Sequence, residues 1–138
     1  MSAEVRQYER KIFMTENTRK TLLLVDDDQE LVSLLKMRFE LEGYHVLTAH
    51  DGEDGLHMAR EQKPDLIILD VMMPQIDGFH VCRLLKFDLK TDRTPIILLT
   101  ARTTPKDQAI WYEVGGNRYL TKPFEFDELR QNVQNLLS

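Results

Sequence analysis

The sequence predicts an α/β protein in which a five-stranded parallel sheet is covered by helices on both faces. Two observations support this prediction. Short, nearly continuous apolar stretches typical of buried strands recur along the chain, and an amphipathic helical pattern follows each of them. Five such units joined by right-handed crossovers leave few possible topologies. We therefore expect a flavodoxin-like (βα)5 three-layer sandwich with strand order 2-1-3-4-5.

Each predicted element has its own signal in the sequence. The first helix keeps a helical apolar period up to Phe39 and ends near Gly43, and Asp51 with Gly52 marks the turn into the second helix. One apolar face defines the last helix, which carries Phe126, Leu129, Val133, Leu136 and Leu137. The predicted strands are Leu22–Val25, Tyr44–Ala49, Leu66–Asp70, Pro95–Thr100 and Arg118–Leu120, and the first four predicted helices cover about Leu31–Phe39, Glu53–Gln62, Gly78–Asp88 and Lys106–Val114.

The start of the chain differs in charge from the rest. Residues 1–20 carry a net charge of +2, whereas residues 21–138 carry −7. This leader is polar, but Val5, Tyr8 and Ile12 fall on one face of a helix, so a short amphipathic helix is an alternative to disorder. We expect residues 1–20 to be an N-terminal extension and residues 21–138 to form a single domain.

The composition argues against several classes of protein. Cys82 is the only cysteine, so no intramolecular disulfide can form and a reducing compartment is expected. No apolar run reaches the roughly 20 residues of a membrane span, and the amino terminus lacks a signal-peptide pattern. The acidic body would be repelled by nucleic-acid phosphates. We therefore expect a cytoplasmic globular protein that binds neither a membrane nor nucleic acid directly.

Polar residues stand at the carboxyl ends of four predicted strands. They are Asp26 and Asp27 after the first strand, Asp70 at the end of the third, Thr100 at the end of the fourth and Lys122 after the fifth. In the expected order the first and third strands are neighbours at the topological switch point, so the three carboxylates converge. Such a cluster needs a counter-charge, and a hard divalent cation such as Mg2+ prefers oxygen ligands.

Each of these residues also has a simpler interpretation. The aspartates from Asp26 to Asp28 could cap the helix that follows them. Thr100 could merely end a strand, and Lys122 could be a solvated surface amine, which is the usual place of a lysine. Their common position at one edge of the sheet favours a shared site.

Four sequence motifs occupy this edge. They are Leu24–Asp28 (LVDDD), Leu69–Pro74 (LDVMMP) with Asp77-Gly78 after it, Leu99–Ala101 (LTA) and Tyr119–Phe124 (YLTKPF). With these motifs the chain from about Lys20 to Ser138 resembles the receiver domain of two-component response regulators. The resemblance implies a phosphorylated signalling switch rather than an enzyme, one that assists its own phosphorylation and dephosphorylation.

The resemblance also implies a phosphoacceptor and a metal site. Asp70 would accept a phosphoryl group from a phosphohistidine on a sensor histidine kinase or a phosphotransfer protein. Asp27 and Asp70 would bind Mg2+ directly, together with the backbone carbonyl of Met72, and Asp26 would act through water. Positioning and charge neutralisation, which these groups would supply, account for most of the catalysis of phosphoryl transfer.

Three further residues are assigned to the response to phosphorylation. By the resemblance, Thr100 and Lys122 would contact the phosphoryl oxygens, and Tyr119 would change rotamer. The family also has a cis peptide before the proline that corresponds to Pro123. The implied output is a change in the surface of the fourth helix, fifth strand and fifth helix, which would control a downstream protein or an effector domain beyond Ser138.

The segment at the start of the fifth strand departs from the family's pattern. Asn117 and Arg118 stand where the subfamily that dimerises through this surface has acidic residues, so that dimer is not expected, and the oligomeric state stays open. Met72 occupies the position at which aspartate-based phosphatases have a second aspartate, which argues against that enzyme class. The alternative function is a receiver-like interaction module that is never phosphorylated.

Overall fold

The protein forms one parallel sheet with helices on both sides. The computed structural model describes residues 2–7 and 19–138. The strands are β1 (Thr21–Val25), β2 (His45–Ala49), β3 (Leu66–Asp70), β4 (Ile96–Thr100) and β5 (Arg118–Thr121). The helices are α1 (Gln29–Leu41), α2 (Gly52–Gln62), α3 (Gly78–Lys86), α4 (Pro105–Val114) and α5 (Phe126–Leu137). The order β2-β1-β3-β4-β5 confirms the predicted topology.

Each face of the sheet has its own apolar core. Ile67 of β3 packs in the cluster that includes Cys82 and other residues of α2, α3 and α4. Its neighbour Ile68 belongs to the opposite cluster, which includes Phe39 of α1 and Leu129 of α5. Every residue of β3 and β4 is buried. Because both faces of these strands are covered, their sequences are continuous apolar runs rather than alternating ones.

The strand register brings the functional edge together. Val25, the last residue of β1, pairs with Leu69, one residue before the end of β3. Thr100 and Thr121, the last residues of β4 and β5, pair with each other. Residues that end or follow these strands therefore emerge at the same edge of the sheet, as expected for parallel strands.

A close approach at Gly78 holds the loop between β3 and α3. A Cβ atom at this position would collide with the carbonyl oxygen of Asp70 and would lie 2.7 Å from the Cα of Val71. Asp77 caps α3, because its carboxylate accepts a hydrogen bond from the His80 backbone N–H at 2.9 Å. The Asp77-Gly78 pair thus packs the start of α3 against the end of β3, where Asp70 lies.

Some predicted boundaries differ from the observed ones by one or two residues. β4 starts at Ile96 rather than Pro95, which has no N–H to donate to a strand ladder. α3 ends at Lys86 rather than Asp88. The Asp88 carboxylate accepts a hydrogen bond from the Lys90 backbone N–H at 2.9 Å, and this contact belongs to a turn rather than to a helix.

Part of the N-terminal extension is described. Residues 3–7 are helical, and the Ser2 hydroxyl accepts a hydrogen bond from the Val5 backbone N–H at 3.2 Å. Tyr8 and Ile12, the other residues of the predicted amphipathic face, lie outside the described residues. Across residues 2–7 and 19–138, no helix has the length and apolar character needed to cross a membrane.

Candidate functional site

Three carboxylates meet at the carboxyl ends of β1 and β3. Asp26, Asp27 and Asp70 each place one carboxylate oxygen within 4.8 Å of the other two. Asp26 and Asp70 are each only 4% exposed, whereas Asp27 is open to solvent. The sequence analysis predicted this convergence from strand order.

Lys122 is the cation of the cluster. Its ammonium donates to Asp26 Oδ2 at 2.9 Å, and its Nζ lies 3.2 Å from Asp70 Oδ1. The Lys122 backbone N–H donates to the carbonyl of Thr100 at 2.8 Å, which fixes the start of the loop after β5. The Lys122-Pro123 peptide is cis, as the resemblance implied. Lys122 therefore belongs to the carboxylate cluster and is not a solvated surface amine.

Burial and charge determine the protonation of the site. Burial, followed by the charge of Asp26, raises the pKa of Asp70 to about 6, although Lys122 and the Met72 backbone N–H act in the opposite direction. Burial is also the largest influence on Lys122 and lowers its pKa. Hydrogen bonds and charge from Asp26 and Asp70 outweigh it and raise the pKa of Lys122 above its usual value.

The charge balance and the donor atoms fit a hard cation. The ammonium of Lys122 pairs with two of the three carboxylates, and within residues 2–7 and 19–138 no other basic side chain pairs with any of them. All the side-chain oxygens that converge are carboxylate oxygens, the ligands that Mg2+ prefers. A divalent cation would supply the missing positive charge.

Helix capping explains only one of the three consecutive aspartates. Asp28 caps α1 by accepting a hydrogen bond from the Leu31 backbone N–H at 3.1 Å. The carboxylate of Asp26 instead accepts from Lys122, and its Oδ1 accepts from the Asp28 backbone N–H at 2.9 Å. Asp26 and Asp27 belong to the cluster, so neighbours in sequence have different tasks.

Thr100 and Tyr119 lie along the same part of the sheet. Thr100 is completely buried, and its hydroxyl oxygen accepts a hydrogen bond from the Arg102 backbone N–H at 2.8 Å. Tyr119 lies on β5 against α4: its ring stacks on Trp111, with centroids 5.0 Å apart and an interplanar angle of 14°. Its hydroxyl donates to the Trp111 carbonyl. Trp111 is thus the direct neighbour of the predicted switch tyrosine.

Sequence reasoning missed the partners of Arg102. The guanidinium forms an ion pair with Asp107 at 2.9 Å, and Asp107 also closes a capping box with Thr104. The spacing of Thr104 and Asp107 is a capping-box signal that the sequence does contain. Nothing in the sequence signalled that Arg102 would join it, because that contact depends on how the loop folds.

A family model described as the response regulator receiver domain matches residues 22–134. The chain therefore belongs to the receiver domain family of response regulators, the proteins of two-component signalling.

Curated relatives and solved structures agree with this family. The chain is 44% identical over 117 residues to the transcriptional regulatory protein AfsQ1 of Streptomyces coelicolor, covering 85% of this chain and 51% of that protein. It is 44% identical over 116 residues to the transcriptional regulatory protein CpxR of Escherichia coli strain K12, covering 84% and 48%. The chemotaxis protein CheY4 of Vibrio cholerae superposes with a TM-score of 0.81 at 32% identity, covering 87% of this chain and 100% of that one. The chain spans about half the length of the curated relatives.

Proposed function

We propose that the protein is a phosphorylation-dependent switch in which Asp70 accepts a phosphoryl group from a phosphohistidine of a sensor histidine kinase or a phosphotransfer protein. The observation that carries this proposal is the 3.2 Å contact between Asp70 Oδ1 and Lys122 Nζ inside a cluster of three carboxylates. A carboxylate oxygen of Asp70 attacks phosphorus while the bond to the imidazole nitrogen breaks. The Lys122 ammonium neutralises the phosphoryl oxygens during transfer.

The protonation of Asp70 is compatible with this role. A nucleophilic carboxylate must be ionised, and the pKa of about 6 leaves most of the carboxyl groups ionised at neutral pH. The buried position removes competing water from most of the group, since Asp70 is 4% exposed. Lys122 therefore meets the incoming phosphoryl group in a partly desolvated pocket, where its charge has more effect than in bulk water.

We propose Mg2+ as the cofactor of this site. Asp27 and Asp70 would be direct ligands with the backbone carbonyl of Met72, and Asp26 would bind through water. Two observations support this division: Asp26 is buried and hydrogen-bonded to Lys122, whereas Asp27 is exposed beside it. When bound, the metal supplies positive charge to the phosphoryl oxygens. The hydrogen bond from the Lys122 ammonium would keep the Asp26 carboxylate oriented toward the metal and its water.

The proposed output is the surface formed by α4, β5 and α5. Thr100 would turn toward the phosphoryl group, and Tyr119 would change rotamer. Because Tyr119 stacks on Trp111 of α4, its movement would alter the packing of that helix and the fluorescence of Trp111. A downstream protein or an effector domain would recognise the altered surface.

The proposed domain and partners follow from the same reasoning. Residues 21–138 would be the receiver domain, with residues 1–20 as an extension. Two relatives are named transcriptional regulatory proteins, and their additional length leaves room for an effector that acts on DNA. The acidic receiver itself would bind neither DNA nor a membrane.

Intact mass spectrometry after incubation with Mg2+ and acetyl phosphate tests the proposal. We expect a single phosphate adduct on the wild type and none on Asp70→Asn, because the amide keeps the shape but cannot act as the nucleophile. Asp51→Asn is the matched control: Asp51 caps α2 at the same end of the sheet by accepting from the Asp54 N–H at 2.7 Å, and asparagine is an equally good cap. An adduct on Asp70→Asn would overturn the assignment. A wild type that takes up no phosphate would favour the phosphorylation-independent module.

A further inference from the structure

One arginine holds the loop between β4 and α4. The Arg102 backbone N–H donates to the hydroxyl oxygen of Thr100 at 2.8 Å. The Arg102 guanidinium donates from Nε to Asp107 Oδ1 at 3.0 Å, and its Nη2 lies 2.9 Å from the same oxygen. A single residue therefore connects the buried Thr100 hydroxyl with the first turn of α4.

Asp107 is fixed in place to receive this arginine. Its Oδ2 accepts from the Thr104 hydroxyl at 2.6 Å and from the Thr104 backbone N–H at 3.3 Å, and the same hydroxyl accepts from the Asp107 N–H at 3.2 Å. The hydrogen bond from the Thr104 hydroxyl is the largest influence that lowers the pKa of Asp107, and the contacts with Arg102 add to it. Asp107 is therefore an ionised partner of Arg102 whose side chain is also held by Thr104.

Arg102 also contacts the start of α3. Its Cζ lies 5.1 Å from the centroid of the Phe79 ring, and its Nη1 lies 3.9 Å from Asp77 Oδ2. Asp77 ends the loop that follows Asp70, and Phe79 lies in the first turn of α3. The guanidinium thus spans the two loops on this side of the phosphorylation site, with its strongest contacts to Asp107.

We propose that Arg102 and Asp107 form a positioning pair that holds the Thr100 hydroxyl in a resting orientation and couples its movement to the first turn of α4. This inference rests on the proposed function, because it requires Thr100 to turn toward a phosphoryl group on Asp70. The contacts of Arg102 favour the resting orientation of the Thr100 hydroxyl, so they are weakened when Thr100 turns. Because such coupling is reciprocal, a variant in which these contacts are already weak should favour the turned orientation. Loss of the pair should therefore make phosphorylation faster.

Hydrogen exchange of the full chain, without phosphate or metal, tests the restraint itself. In Asp107→Asn the single carbonyl oxygen can still accept from the Thr104 backbone N–H in the capping box, but the charge and the second oxygen, which receive Arg102, are lost. We expect the backbone amide of Arg102 to exchange about tenfold faster. The Lys122 amide, which donates to the Thr100 carbonyl rather than to its hydroxyl, should exchange at the wild-type rate. A role limited to capping α4 would leave the Arg102 amide unchanged, and that result would overturn the pair.

Phosphate uptake tests the coupling. With Mg2+ and acetyl phosphate, the initial rate for Asp107→Asn and for Arg102→Gln should rise about threefold or more, and the double variant should gain no more than either single one. Asp51→Asn should react at the wild-type rate. Unchanged or slower uptake in both single variants would overturn the coupling, and Arg102→Gln decides the matter if Asp107→Asn does not fold. Absence of uptake in every protein would contradict the proposed function alone, because exchange is measured without phosphate.

Discussion

Two partly buried lysines lie at opposite ends of the strands, and they bind different kinds of oxygen: Lys122 binds carboxylates and Lys86 binds neutral oxygens. Lys122, at the carboxyl ends of the strands, lies 2.9 Å from Asp26 and 3.2 Å from Asp70. Lys86, at the end of α3 near the amino ends of β4 and β5, donates to neutral oxygens instead. The pKa of Lys122 is raised by its carboxylates, whereas burial lowers the pKa of Lys86.

The contacts of Lys86 are those of a structural tie. Its ammonium donates to the Thr94 carbonyl at 2.8 Å, to Asn117 Oδ1 at 3.2 Å and to the Asp92 carbonyl at 3.4 Å. These oxygens belong to the loop before β4 and to the residue before β5. Asn117 also accepts from the Ile96 backbone N–H at 2.9 Å, so one amide joins both strand starts. Lys86 thus ties the end of α3 to the loop before β4 and to the residue before β5, and its acceptors in these segments carry no charge.

The charge balance separates the two edges. At the carboxyl edge, the cluster holds three carboxylates, and its one lysine pairs with Asp26 and Asp70, so negative charge is in excess there. At the amino edge, the Lys86 ammonium donates to three neutral oxygens and pairs with no carboxylate among the described residues. The difference indicates that the carboxyl ends of the strands carry an uncompensated charge that costs stability, as expected of the proposed metal site, whereas the contacts of Lys86 at the amino ends stabilise the fold.

Replacement of Lys122 should have the largest effect on stability. Lys122→Met leaves Asp26 and Asp70 facing each other without an ammonium, and removal of one partner from such a pair should lower the free energy of unfolding by about 3 kcal/mol in EDTA. Mg2+ should restore part of the loss because it supplies the missing charge. Urea unfolding with and without Mg2+ measures both effects. If Lys122→Met lowered the free energy of unfolding by less than Lys86→Met does, the proposed difference between the two lysines would be wrong.

Replacement of Asp70 should stabilise the metal-free protein. The pKa of Asp70 is about 6 in the folded state and about 3.9 in an unfolded chain. The folded protein thus binds this proton more tightly, and the resulting stability, present below about pH 4, is lost as the pH rises through about 6. In EDTA, the free energy of unfolding of Asp70→Asn should exceed that of the wild type by between about 2 and 3 kcal/mol at about pH 7.5 and by little at about pH 4.

Urea unfolding at the two pH values checks this prediction, and Mg2+ provides a second arm. The metal should stabilise the wild type more than Asp70→Asn, since the variant lacks one proposed ligand. Mg2+ should therefore reduce the difference between their free energies of unfolding. A variant less stable than the wild type at about pH 7.5 in EDTA would show that Asp70 is already compensated by Lys122.

Replacement of Lys86 should have the smallest effect of the three. Lys86→Met loses three hydrogen bonds to neutral oxygens, but it also removes the cost of burying a charge, so we expect a loss of about 1 kcal/mol. The loss should not depend on Mg2+. Lys36→Met is the control, because Lys36 forms a half-exposed pair with Glu40 at 3.2 Å and a long hydrogen bond to the Val46 carbonyl at 3.5 Å, which together should contribute less than about 0.5 kcal/mol. Thermal unfolding of both variants, with and without Mg2+, measures the difference, and a Mg2+-dependent loss in Lys86→Met would contradict a purely structural tie.

Much of the fold could be predicted because burial leaves a direct pattern in the sequence. β3 and β4 are covered on both faces, and this produces the continuous runs from Leu66 and from Ile96. Boundaries were less predictable because they depend on single local hydrogen bonds. The end of α3 is an example, where Asp88 binds the Lys90 N–H in a turn that apolar periodicity does not report.

The position of the site was predictable, but its contacts were not. Strand order alone places Asp70 and Lys122 at one edge, since the ends of parallel strands meet there. That the lysine would bind both Asp26 and Asp70 depends on side-chain conformation, which sequence spacing does not encode. The same holds for the stacking of Tyr119 on Trp111, although the sequence placed Trp111 on the fourth helix.

Localisation of the phosphate among the three carboxylates tests the central claim most directly. Borohydride reduces an aspartyl phosphate to an alcohol, so peptide mass mapping after reaction with Mg2+ and acetyl phosphate identifies the residue that was phosphorylated. Asp70 lies in a cluster with excess negative charge and contacts the Lys122 ammonium. We therefore expect reduction at residue 70 in the wild type, with Asp26 and Asp27 unmodified. Reduction at residue 26 or 27, or at no carboxylate in the cluster, would contradict the assignment of Asp70 as the phosphoacceptor.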